Sequence, residues 1–535
     1  MYAPPIEQQG LINMNASARW LVALLIVLGA GSAQAATAAG DPAAQCAAMV
    51  GQYPDIVDAP TSVTAAKMVD AADGLPAFCQ VNATIKPDIG IELRLPSATW
   101  NGKFFEYGRG GYCRTISMQD CNNPLRKGYA CVITDHGHKS TEQDDIWVRG
   151  NIQAKVDCGF RGTHVAAASG KALTAAYYHK EPTHSYYMGC STGGRLGMVE
   201  AEKFPWDFDG IIAGAAPISK FADGLALMWD AIAPLDKTGK QILSPADIEM
   251  VHKAAVAKCD MDDGIADGVI GDPMHCKFDP AELQCHGAQA QGKGAACLSP
   301  EQVTAVRKMY QGPVTSKGVS LYPGPLPGSE LDWIGTFIAD KPGPSPIYTG
   351  MTDMFVSMND PERPPEWKIT DFNWDEDYKR LAMMDALNSG ANPDLRPFKA
   401  AGGKLIVYHG LADSAVMPGN MVDFYQIAER TMGGEAATKD FFRLFLMPGL
   451  NHCTGGAGAS VFDYIAALEA WVEGGKAPDA LIGAHPKTNI ASPVPLPLDP
   501  ANIAFTRPVF PYPARAVYSG KGDPNDAASF TPAAQ

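Results

Sequence analysis

Between about Ala36 and Ala216, short apolar runs alternate with longer stretches whose apolar positions recur at helical spacing. Gly90–Leu95, Lys103–Tyr107, Gly128–Thr134, Ser185–Met188 and Gly210–Gly214 predict strands. Thr163–His179, rich in small residues, and Arg195–Phe204 predict helices. The alternation resumes near Lys404, with strands expected at Lys404–His409 and Phe441–Met447 and helices at Pro418–Met432 and Ser460–Glu473. Strands separated by helices imply a mainly parallel sheet covered on both faces, an α/β fold. Between about 220 and 395 the repeat disappears into Pro, Gly, Asp and scattered aromatics. Residues 220–395 therefore read as an insertion, a lid, between the two parts of one catalytic domain, 36–219 and 396–535. The Pro-rich tail after Ala477 is expected to run over the surface.

Composition narrows the class. Of 535 residues, 46% are hydrophobic and 19% charged, which excludes a disordered or coiled-coil chain. The formal net charge of −15 argues against nucleic acid as a partner and against docking on anionic lipid. The apolar run Leu21–Ala30 follows Arg19 and precedes Ala33-Gln34-Ala35. It is too short to span a bilayer, which takes about 20 apolar residues. Residues 1–35 are therefore expected to be a secretory signal cut after Ala35, with Met14 a candidate start. No membrane association is expected after cleavage, and the mature protein is expected to be secreted or periplasmic.

All 12 cysteines follow that segment and none forms a CxxC. An even number in an exported chain suggests disulfides. Cys259/Cys276 and Cys285/Cys297 have the spacing of loop staples, and Cys46/Cys79 could tie down the N-terminus. Cys131, inside an apolar stretch, reads equally well as a free buried thiol, and partners for Cys113, Cys121 and Cys158 stay open.

The chemistry concentrates at three places. Gly189-Cys190-Ser191-Thr192-Gly193 fits G-x-S-x-G between a predicted strand and a predicted helix, the context of a nucleophile elbow. Small flanking residues are needed there because the turn is tight, and Ser191 becomes the candidate nucleophile. Asp413, after the strand Lys404–Tyr408, and His452, after the strand Phe441–Met447, complete the order Ser, acid, His. In that chemistry His452 takes the serine proton and Asp413 holds the imidazole tautomer. Asp440 is a weaker acid candidate because it precedes a strand. Cys190 adjoins Ser191 and Cys453 adjoins His452, so a working triad would bring the two sulfurs within bridging distance. An oxyanion hole needs two backbone N–H groups. Thr192 is one candidate, and Gly111, with Gly110 close behind, is the other, from the loop after Lys103–Tyr107.

Gly189–Arg195 together with Asn451-His452-Cys453 resembles the tannase/feruloyl esterase family of α/β-hydrolases. Trp100–Lys103, Thr134–His138 and Phe208–Gly214 are similar to further stretches of that family, and the likeness is weakest in 300–395. The resemblance implies an α/β-hydrolase fold, the triad Ser191, Asp413 and His452, and a Cys190–Cys453 disulfide. It also bears on the acidic loop Cys259–Val269, whose aspartates have no Lys or Arg among them. Oxygen-only ligands suit a hard cation, although the spacing is not that of an EF-hand. The resemblance implies a structural Ca²⁺ held by the side chains of Asp260, Asp263 and Asp267 and the carbonyls of Ile265 and Val269, with Asp262 outside the set.

The expectation is a secreted serine carboxylesterase acting on a small aromatic ester, free or carried on a plant polysaccharide or polyphenol. Met351, Met354, Phe355 and Met358, with Tyr112, Trp333, Phe337, Tyr348, Trp367 and Trp374, are candidates for an aromatic acyl pocket, although most of these aromatics read as lid core. Hydroxycinnamate esters rank first because they demand the fewest polar partners. Gallate esters would need several, and a terephthalate monoester would need a cation such as Lys341 or Arg363. Two other classes are kept: a metal-dependent hydrolase centred on His136 and His138, and a non-catalytic protein on a hydrolase scaffold.

Overall fold

The computed structural model describes residues 41–534 apart from 112, 114–115, 140–145, 287–296, 355–363, 365 and 489–497. The signal segment, Tyr112, Phe355, Met358 and Arg363 lie outside the described residues, as does the side chain of Met354.

The apolar runs become the centre of a ten-stranded sheet. Its strands are β1 (Gly51–Tyr53), β2 (Thr61–Val69), β3 (Phe78–Ile85), β4 (Ile89–Pro96), β5 (Lys103–Gly108), β6 (Ala130–Thr134), β7 (His184–Cys190), β8 (Gly210–Gly214), β9 (Lys404–Gly410) and β10 (Phe442–Met447). The order is β1-β2-β3-β4-β6-β5-β7-β8-β9-β10. From β6 to β10 all neighbours are parallel. β1 to β4 are antiparallel, and β4 joins β6 antiparallel. Of this antiparallel wing only β4 was expected. Its strands follow one another through short connections with no helix between them, so no βα alternation marks them.

Alternation along each strand splits the core in two. On one face Phe104, Val132, Tyr187, Ile211, Val407 and Leu444 pack with the helices Gly162–Tyr178, Thr192–Lys203 and Pro418–Met432. On the other, Phe105, Ile133, Tyr186, Met188, Ile406 and Phe445 meet the helix Tyr464–Gly474. The small residues of Gly162–Tyr178 set its distance from the sheet: a Cβ at Gly170 would stand 2.7 Å from the Phe104 ring.

β8 and β9 are adjacent parallel strands, yet residues 215–403 lie between them in sequence. This insertion has apolar clusters of its own. One gathers Leu243, Ile248, Val251, Val306, Trp333 and Phe337. Another joins Phe221, Leu225, Met351, Trp367 and Phe372 to Val148, Cys113 and Cys158 of the sheet domain. Trp333, Phe337 and Trp367 are thus core residues. The tail does not merely cover the surface. β11 (Leu481–Pro486) pairs with β12 (Ile503–Val509), and β13 (Ala514–Tyr518) with β14 (Phe530–Ala534), both antiparallel.

Candidate active site

β7 ends at Cys190 and the helix Thr192–Lys203 begins one residue later. Ser191 between them has φ 61° and ψ −127°, a conformation a serine holds only when its surroundings impose it. Glycine makes the turn possible. A Cβ at Gly193 would lie 2.1 Å from the Gly108 carbonyl oxygen, and one at Gly189 would lie 2.6 Å from the Gly193 carbonyl. The turn is pinned by Ser191 N–H donating to Gly214 O at 3.0 Å and Tyr187 OH donating to Gly193 O at 2.7 Å.

Asp413 follows the C-terminal end of β9 and is fully buried. Its Oδ1 accepts the N–H groups of Ala415 and Val416, each at 2.9 Å, and its Oδ2 lies 2.9 Å from His452 Nδ1. His452, on the loop after β10, keeps 27% of its side chain exposed. His409 Nε2 donates to Val416 O at 2.8 Å and stands 3.5 Å from the same Asp413 oxygen. Burial alone would raise the Asp413 carboxyl, but the His452 charge and the bonds from both imidazoles outweigh it and hold the group well below the usual carboxylate range. Burial would lower His452, and it is overridden by the Asp413 charge and hydrogen bond, with Asp223 and Asp332 adding to the rise.

Cys190 and Cys453 are joined, with Cα atoms 6.0 Å apart, so the elbow and the His452 loop are tied covalently. The bridge is the covalent link between these loops, with Leu450 packed in the same apolar cluster as Cys190 and Cys453, and among the described residues no hydrogen bond connects Ser191 Oγ to His452. Such contacts are often long in the absence of substrate. Cys46–Cys79, Cys259–Cys276 and Cys285–Cys297 are paired as well. The cysteines whose partners were open form Cys113–Cys158 and Cys121–Cys131, so Cys131 is not a free thiol.

Gly110 and Gly111 lie beside the elbow. Gly111 O accepts the Thr192 hydroxyl at 2.6 Å, and a Cβ on Gly110 would be 3.8 Å from Ser191 Oγ. Arg195, quoted above only as part of a motif, proves to be a brace. It is fully buried and donates to the carbonyls of Gly159 at 2.6 Å, Asn388 at 3.0 Å and Cys158 at 3.1 Å. It thereby fastens the elbow helix to the insertion and to the Cys113–Cys158 bridge. Burial lowers its guanidinium to about 10.

Other candidates separate from the centre. Asp440 is largely exposed and pairs with Lys399 at 3.5 Å. His136 is buried against Thr163 and pushed down to about 3 by burial, then by Arg195, while His138 stacks on Trp147. Among the described residues the group with converging metal-ligand atoms is His164, Glu200 and Asp207, which includes neither. In the acidic loop Asp260 accepts the N–H groups of Asp267 and Gly268, and Asp263 that of Ile265. The tail supplies a counter-charge that local sequence does not show, with Arg507 bonding Asp267 at 2.8 Å and Arg515 donating to the Asp262 carbonyl. Asp263 is buried, and its carboxyl is pushed up to about 6 by burial and by Asp267 and Asp260, against the bond from Ile265.

A sheet of this topology, with a strained serine at the strand-to-helix turn and a carboxylate–imidazole pair on the loops after β9 and β10, defines an α/β-hydrolase fold carrying a large insertion. A family model described as tannase and feruloyl esterase matches residues 75–533, and the chain belongs to that family. It is similar to an uncharacterized esterase of Xanthomonas campestris, at 32% identity over 88% of this chain and 87% of that protein. It is equally similar to the mono(2-hydroxyethyl) terephthalate hydrolase of Piscinibacter sakaiensis, at 32% identity over 88% and 87%. The crystal structure of feruloyl esterase B from Aspergillus oryzae superposes with a TM-score of 0.80 at 25% identity, covering 92% of this chain and all of that one. The protein is a carboxylic ester hydrolase.

The Cys190–Cys453 bridge closes a loop of sequence separation 263, for which chain entropy alone gives an upper figure of about 5.5 kcal/mol. Mild reduction with a thiol is expected to abolish esterase activity at concentrations that leave the far-ultraviolet circular dichroism unchanged. Loss of activity only in step with unfolding would show that the bridge does not organise the site.

Proposed function

We propose that the protein is a secreted or periplasmic serine esterase of aromatic acids, with Ser191 as nucleophile, His452 as base and Asp413 as the acid that orients it. The observation that carries this is the Asp413–His452 contact, tied through Cys190–Cys453 to the strained turn that presents Ser191. Ser191 Oγ attacks the ester carbonyl while His452 Nε2 accepts its proton. The tetrahedral oxyanion is held by the N–H of Thr192, at the helix N-terminus, and by that of Gly111, with Gly110 the alternative donor. His452 returns the proton to the departing alkoxide, leaving an acyl-enzyme. Water, deprotonated by His452, then releases the acid and restores Ser191.

Hydroxycinnamate esters rank first as substrates, supported by the relatedness to feruloyl esterase B. Terephthalate monoesters follow, by relatedness to the hydrolase named for one, and galloyl esters are the further alternative. Attachment of the ester to a plant polysaccharide or polyphenol belongs to the same reading. Export is supported by the six disulfides, which persist in oxidising compartments. Among the described residues no helix is long and apolar enough to cross a membrane.

The reading includes a structural Ca²⁺ in the lid, for which the donor chemistry fits: three carboxylates, one of them buried and raised by that burial and by Asp267 and Asp260. Asp260, Asp263 and Asp267 with the carbonyls of Ile265 and Val269 would hold it, and it would join the loop without taking part in the reaction.

Ser191→Ala is expected to fold normally and to lose at least about a thousandfold in kcat. In the parent enzyme kcat/KM should rise with pH through an apparent pKa above the ordinary imidazole value of about 6.5, because His452 acts neutral and its pKa is raised. An active Ser191→Ala enzyme would overturn the triad. A panel of methyl ferulate, methyl gallate and mono(2-hydroxyethyl) terephthalate should give methyl ferulate the highest kcat/KM, and a tenfold preference for either of the others would reverse the ranking. Chelation should lower the melting temperature and added Ca²⁺ restore it, since binding at a hundred times Kd stabilises the native state by about 2.7 kcal/mol. Elemental analysis finding no calcium, together with no thermal response, would remove the ion.

A further inference from the structure

We propose that Asp332, supplied by the insertion, is a positioning residue that clamps the acid loop and the base loop together. This rests on the triad reading above. Asp332 lies in the single turn Glu330–Trp333. That turn is anchored on both sides of it. Trp333 is fully buried among Ile248, Val251, Val306 and Phe337 and donates its indole N–H to Ser329 Oγ at 3.1 Å. Glu330, also fully buried, accepts the Gly328 N–H and lies 2.8 Å from His252 Nδ1. The carboxylate between these anchors is therefore presented from a rigid support.

Its two oxygens go to two different loops. Oδ2 accepts the hydroxyl of Ser414 at 2.6 Å, and Oδ1 accepts the side-chain amide of Asn451 at 3.2 Å. Ser414 is the residue after Asp413, and Asn451 the residue before His452. One acceptor thus spans the two loops; on the base loop Cys453, after His452, is bonded to the elbow, whereas Asn451, before it, is held by the insertion. Hydrogen bonds to an ionised acceptor are roughly twice as strong as neutral ones. Losing an outer partner that orients a metal ligand typically costs about 10- to 100-fold, and loss of this clamp is expected to cost a factor of the same order.

The clamp also acts on charge. The groups facing the His452 imidazole are Asp413, with His409 behind it, Asp223 from the helix Lys220–Ile232, and Asp332 from the insertion. Burial pushes the Asp223 carboxyl well above the usual carboxylate range, which leaves Asp413 and Asp332 as the carboxylates that favour the protonated imidazole. Burial and Asp413 raise Asp332 as well, against the Ser414 hydrogen bond and the His452 charge, and Asp332 is the one that also carries the loop-to-loop hydrogen bonds.

The test uses the full chain with Asp332→Asn and Asp332→Ala, and reads two rates against pH. One is kcat/KM for methyl ferulate. The other is the rate constant for inactivation of Ser191 by a p-nitrophenyl phosphonate, which needs the same His452 but no particular acyl pocket. Both variants should melt within a few degrees of the parent. Both rates should fall about 10- to 100-fold, with KM changed less than about threefold. In Asp332→Asn the acid limb of both profiles should move to lower pH, since a negative charge beside the imidazole is gone. Unchanged rates and an unmoved acid limb would overturn the clamp, as would a loss of activity matched by loss of folded protein with the limb in place. Failure of the clamp and failure of the triad are distinguishable: if Ser191→Ala is inactive and the phosphonate marks Ser191, the triad stands whatever Asp332 does.

Discussion

A covalent bond between the residue before Ser191 and the residue after His452 is the constraint from which the geometry of this site follows. The elbow stores strain, because a serine at positive φ has no local reason to stay there. That strain is sustained from several directions. Gly189 and Gly193 leave room for the turn, Tyr187 and Arg195 hold the helix that begins there, and the Cys190–Cys453 bridge ties the turn to the loop of the imidazole. A hydrogen bond in that place could rearrange during a reaction cycle, whereas a disulfide lets protons move without the two loops drifting apart.

The second theme is the management of buried charge. Asp413 is completely enclosed, a placement that would ordinarily force it neutral. It stays ionised because two backbone N–H groups and two imidazoles surround it. The insertion contributes to this environment. Asp223 and Asp332 both come from between β8 and β9, and both bear on His452. The acidic loop shows the same economy at the surface, where Arg507 and Arg515 arrive from the tail.

Much of the centre was legible from local pattern. The strands and helices of the parallel half were placed within a few residues, and Pro418–Met432 matched in full. Ser191, Asp413 and His452 could be put forward as the reactive groups because each follows a recognisable strand, at the end where this class of sheet presents its chemistry. The antiparallel wing was mostly missed, since hairpins without intervening helices leave no βα signature. The tail was read as a surface wrap because its prolines mask two short antiparallel pairs.

What the sequence by itself determined, then, is whatever depends on neighbours along the chain: the alternation that makes the sheet, the small residues that permit the elbow, and the order of the candidate reactive groups. What only the tertiary structure decided depends on residues far apart in number. The partners of Cys113 and Cys121 were open until the fold brought Cys158 and Cys131 beside them. Arg195 looked like an ordinary helix residue until three carbonyls, one of them 193 positions away, were found around it. Asp332 carried no motif at all, because a carboxylate's meaning is set by what it accepts from, and its two donors lie 82 and 119 residues downstream. Packing and charge act through space, and a pattern read along the chain records them only where space and sequence coincide.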